Sequence, residues 1–150
     1  MTDQSKIFAV HLGIFATPED RNRVYARGME RVSAFEDVSL RGSQYVDGEQ
    51  ATALDPDFSV NELYEELPQQ WRDEHPGEDP GLRRISEIRL VVASRGPGPD
   101  ELTTALAQGA CPVLDHPGPC PVPWSADFVT GEDKVSVEYL HSSRTQGPTP

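Results

Sequence analysis

Apolar side chains occupy both faces of Lys6 to Phe15, where Phe8, Val10, Leu12 and Ile14 alternate with Ile7, Ala9, His11, Gly13 and Phe15. A period of two with both faces apolar predicts a central strand. The periodicity then changes. Thr17 is a good N-cap, Pro18 suits the first helical position, and Glu19 and Asp20 favour the positive end of the helix dipole. A helix to about Val32 follows, with Val24, Tyr25, Met29 and Val32 as its apolar stripe and Gly28 as a point of close approach. Arg23, Arg27 and Arg31 recur on or beside its polar side. Val38 to Val46 reads as a second strand, weakened by Gly42.

The best-written helix start comes later. Ser59 and Glu62 have the spacing of a capping box, and Phe58 before the cap is placed to pack on Leu63 as a hydrophobic staple. Val60, Leu63, Tyr64, Leu67 and Trp71 follow helical spacing, while Pro68 disfavours helical geometry at Leu67, so the helix is expected over Phe58 to Leu67 and to end or kink there. His75 to Gly81 is a turn-rich linker. Arg84 to Ser94 predicts a strand around Ile88, Leu90, Val91 and Val92, stopped by Gly96-Pro97-Gly98-Pro99. Asp100 is expected to cap a short helix through Gln108, with Leu102, Ala105 and Leu106 inward and Gly109 as its stop. Pro112 to Trp124 is too proline-rich for regular structure. Val135, Val137 and Tyr139 alternate with Ser136 and Glu138, the pattern of a half-buried strand over Lys134 to His141. Ser142 to Pro150, with no apolar side chain larger than proline, is expected to be a disordered tail.

This order fits one α+β domain over residues 1–141: a ferredoxin-like, split βαβ antiparallel sheet with helices on one face and an acidic helical insertion at 47–80. A mixed sheet with helices on both faces is the alternative. Element order alone says nothing about chemistry.

Charge sharpens the picture. Of the net charge of −12, nearly all lies between Asp47 and Pro80, where eleven carboxylates face one base, Arg72. Clustered negative charge steers basic partners and repels anionic ones, which argues against nucleic-acid binding through this surface. Glu62, Glu65 and Glu66 are candidate contacts on the outer side of the acidic helix, with Tyr64 and Trp71 in the apolar stripe that would enter a partner's groove. The same stripe could instead pack on this protein's own sheet, and Arg23, Arg27 and Arg31 could neutralise the acids internally.

Two further sites follow from residue type. Cys111, His116 and Cys120 supply three zinc-type ligands in a Cys-x4-His-x3-Cys loop, but a closed structural site needs a fourth, so no metal or other cofactor is expected. Glu87 and Arg89 share one face of their strand, which a split βαβ sheet sets beside the strand carrying His11. A histidine beside a carboxylate and a guanidinium can do acid–base work. No serine triad, P-loop or dinucleotide fingerprint is present; the glycines of Gly96-Pro97-Gly98-Pro99 alternate with prolines that remove the N–H donors a phosphate cradle needs.

The leading expectation is a small, soluble, cytoplasmic binding or regulatory protein that presents its acidic face to a basic protein partner, as an inhibitor, immunity-type protein or adaptor. No nucleic acid or membrane is expected as a partner; a homodimer through the sheet face is. The alternative is a cofactor-independent enzyme or ligand-binding module on the open sheet face near His11, Glu87 and Arg89.

Overall fold

The computed structural model describes residues 5–112, 122–131 and 138–140. Within them run β1 (Lys6–Ala16), α1 (Pro18–Ser33), β2 (Val38–Asp47), α2 (Val60–Leu63), α3 (Glu66–Glu74), β3 (Arg84–Ser94), α4 (Pro99–Ala107) and β4 (Trp124–Thr130). The strands form one sheet in the order β2-β3-β1-β4, and each neighbouring pair is antiparallel. The class is therefore α+β, and the mixed-sheet alternative does not hold for these strands.

Alternation along β1 divides the core in two. Phe8, Val10, Leu12 and Ile14 pack with Ile88, Leu90 and Val92 of β3 beneath α1 and α4, which contribute Val24, Val32, Leu102 and Leu106. Thr17 caps α1 by accepting from the Asp20 N–H at 3.2 Å. Gly28 is the expected close approach: a Cβ there would stand 2.8 Å from a methyl of Leu106 on α4.

On the opposite face, Phe15, Val46 and Ile85 are covered by Val60, Tyr64, Leu67 and Trp71 of the acidic segment. Leu140 lies over Ala9 and Val91 further along. The sheet face expected to be open is thus largely covered, and helices lie on both sides of the sheet. This cover occupies the surface that a sheet-face homodimer would use.

Several local expectations are corrected. The helical break falls at Tyr64 and Glu65, before the proline; Pro68 sits in the first turn of α3, where a missing N–H costs nothing, and α3 runs on to Glu74. Gly98, not Asp100, is the N-cap of α4. Gly42 follows a bulge that leaves Arg41 without a cross-strand partner in the β2–β3 register. Trp124–Thr130 forms a strand that the pattern does not predict; of the strand expected over Lys134 to His141 only 138–140 is described, and it is helical. The expected tail at 142–150 lies outside the described residues.

Candidate functional site

Strand register builds a polar row across the second face of the sheet. Gln44 of β2 stands opposite Arg89 of β3, Arg89 opposite His11 of β1, and His11 opposite Asp127 of β4. The adjacent row on the same face runs Val46, Glu87, Gly13 and Ser125. A side chain at Gly13 would collide with the Tyr64 ring. The glycine leaves room for the α2–α3 turn to lay that ring over β1, where the phenol donates to Glu87 Oε2 at 2.5 Å.

The other Glu87 oxygen accepts from Arg89 Nε, and Arg89 also donates to the Ala51 carbonyl at 2.8 Å. Glu87 is 1% exposed and Arg89 8%. Two charges this deep are tolerable only when paired and hydrogen-bonded, and here the pair ties the segment after β2 to the sheet. His11 is buried as well. Its Nε2 lies 2.7 Å from the Tyr139 hydroxyl and its Nδ1 3.6 Å from Asp127, whose side chain is 63% exposed. With the ring proton on Nδ1, His11 points that proton at Asp127 and accepts from Tyr139.

Both phenols are held in the neutral form, and Tyr64 donates to Glu87. Burial is the largest cause of the raised Tyr64 pKa, reinforced by the Glu87 charge. Burial also raises that of Tyr139, with Arg89 opposing and Glu87 and Asp127 adding to the effect. A phenol that resists ionisation can donate a hydrogen bond steadily across the neutral range.

A pocket of about 180 Å³ opens beside this row, with the buried His11 and Glu87 as its floor and the exposed Asp127 at its edge. Leu54, Phe58 and Leu63 line its mouth, each more than a third exposed. The mouth is a structured loop: Thr52 N–H donates to the Phe58 carbonyl at 2.8 Å, and Ala51 bridges Ser59. A larger cleft of about 450 Å³ near Phe15 and Ile85 carries Arg72, Arg83 and Arg84 together with Asp47 and Glu49, but its charges are of both signs and exposed or half-buried.

His11, Glu87 and Arg89, expected on one sheet face, are brought together. Of the residues expected at a partner face, Glu62, Glu65 and Glu66 are exposed, whereas Tyr64 and Trp71 are buried against the protein's own sheet. Trp71 stacks on His75, and the Arg83 guanidinium lies 4.6 Å from its ring centroid. Arg23, Arg27 and Arg31 are on α1, across the sheet from these glutamates, and Arg23 pairs with Asp20. Of the zinc candidates, Cys111 is buried, and His116 and Cys120 lie outside the described residues. Asp127 and Tyr139 join the site without a sequence motif that marks them. The alternation in Trp124–Thr130 is a signal for a strand with Asp127 on its polar face; its place opposite His11 is set by the strand register. Nothing local marks Tyr139 as its partner.

Comparison with protein-family models, curated proteins and solved structures finds no match for this chain. Among the described residues, no helix is long and apolar enough to cross a membrane.

Proposed function

We propose that this protein is a ligand-binding module whose site is the pocket over His11 and Glu87. One observation carries the reading: a buried, hydrogen-bonded polar floor lies beneath a mouth of three exposed apolar side chains, the combination by which small-molecule sites orient a ligand and bury its body. At about 180 Å³ the pocket is below the roughly 300 Å³ at which sites for drug-sized ligands begin, so its occupant is smaller. The Asp127, His11 and Tyr139 arrangement could exchange a proton with such a ligand. The strand order, with α1 between β1 and β2 and α4 between β3 and β4, supports reading the domain as ferredoxin-like with 47–80 as an insertion that supplies the pocket's mouth.

A screen of small fragments by protein-observed NMR tests this. Hits are expected to shift the amides of His11, Thr52 and Val129, and Leu63→Ser is expected to weaken them at least about threefold by removing apolar contact. A screen in which no fragment perturbs these amides overturns the reading.

Steering of a basic protein is the second reading, favoured by the exposure of Glu62, Glu65 and Glu66 on the side of the sheet away from α1. Replacing all three with Gln is expected to slow association with a partner captured at low salt and to flatten its salt dependence, with little change in folding stability. Loss of thermal stability with unchanged association would point to internal pairing instead.

A further inference from the structure

We infer that the pocket takes a small organic cation, an ammonium-type head on an apolar body. The inference rests on the pocket being a ligand site and goes on to its chemistry.

Among the described residues, three carboxylates line this cavity: Glu87 in the floor, and Asp55 and Asp127 at its edge. They are not equivalent. Glu87 is occupied by Arg89 and Tyr64, so its charge is already balanced within the protein. Asp127 is largely exposed, with His11 as its one ion-pair contact among the described residues. Asp55 uses one oxygen to accept from the Asp57 N–H and is exposed. A ligand entering past these two groups meets net negative charge, which an anionic head would raise and a cationic head would neutralise.

The mouth itself belongs to the acidic segment. Leu54, Asp55, Phe58 and Leu63 all fall within the Asp47 to Pro80 window, so the exposed apolar side chains of the mouth are carried by the most acidic stretch of the chain, with Asp55 among them. Apolar lip and negative field together match a ligand with one apolar end and one positive end. Phe58 adds an aromatic ring at the entrance, and a cation over such a face is attracted to it. The charge concentration legible in the sequence and the pocket visible only in the fold thus become parts of one recognition surface.

Titration calorimetry and NMR with phenethylammonium, the neutral phenethyl alcohol and the anionic phenylpropionate test the assignment on the full chain. Phenethylammonium is expected to bind best and to shift the amides around His11 and Val129. Asp127→Asn, at an exposed position that the fold tolerates, is expected to weaken it roughly fivefold without affecting phenethyl alcohol. Glu30→Gln, on α1 beyond the sheet, serves as a charge-matched control and is expected to leave binding unchanged. Equal or tighter binding of the alcohol or the carboxylate would overturn the cation assignment while leaving the pocket a ligand site. Failure of all three probes to perturb the pocket would count against both.

Discussion

Gly13 decides more of this site than any polar residue. Its missing side chain admits the Tyr64 ring over β1, and the ring delivers a hydroxyl to the Glu87 carboxylate, which the Arg89 guanidinium balances. Each member depends on the others because a buried acceptor left without a donor loses solvation with no compensation. Tyr64→Phe is expected to destabilise the fold by about 1 to 3 kcal/mol, seen as a lower urea midpoint with an unchanged slope. A stability equal to the unmodified protein's would mean that Glu87 is satisfied without the phenol. The glutamate and arginine were legible as a same-face pair in Ile85 to Ala93, since a strand alternates its side chains. The tyrosine was not, because helical spacing assigns it only to an apolar stripe and is silent on where its hydroxyl ends.

At the scale of elements, the acidic segment is a capped turn of helix followed by a second helix. The capping box read from Ser59 and Glu62 is formed: Ser59 Oγ accepts from the Glu62 N–H and Glu62 Oε1 from the Ser59 N–H, each at 3.2 Å. A four-residue helix has too few internal hydrogen bonds to persist unaided, so α2 relies on this cap and on the burial of Val60. Ser59→Ala is expected to cost about 0.5 to 2 kcal/mol, and hydrogen exchange across Glu62 to Tyr64 is expected to accelerate with it. Unchanged protection in the variant would show that tertiary packing alone holds the turn. The break beyond α2 was displaced from its expected position because a proline is excluded from a helix interior but not from a first turn, and α3 begins just early enough to place Pro68 there. Strand β4 is harder to read for a different reason: it lies at the end of the sheet among the described strands, half-exposed along its length, and only Trp124, Ala126 and Phe128 mark its apolar side.

For the whole molecule, the sheet is a partition. One side holds the larger apolar core under α1 and α4, and the other holds the charged row under the acidic segment. Burial on these two sides leaves a signature in alkali, since Tyr45, Tyr64 and Tyr139 all have raised pKa values, burial being the largest cause in each. In the unfolded chain these phenols titrate at about 10. Above that pH the unfolded state releases protons that the folded state retains, so it binds fewer, and stability falls as pH rises; below it the contribution is fully present. Phenolate absorbance is therefore expected to rise for these three tyrosines only together with loss of near-ultraviolet circular dichroism. Ionisation of all of them near pH 10 with the fold intact would contradict the burial described here.

Composition and local pattern by themselves determined the central strands β1 and β3, helices α1 and α4, the cap at Ser59 and the concentration of negative charge between Asp47 and Pro80. Each is set by interactions within a few residues: the pleat's period, capping hydrogen bonds, proline and glycine geometry. Tertiary structure alone decided that the second sheet face is covered, that Tyr64 and Trp71 turn inward, and that Gln44, Arg89, His11 and Asp127 stand in one row. Those relations join residues far apart in the chain, and a slip of one residue in a strand's pairing would turn that strand's member of the row to the other face. Local sequence carries no term for that register; it is settled when two apolar faces, one under α1 and α4 and one under the acidic segment, must be buried at once.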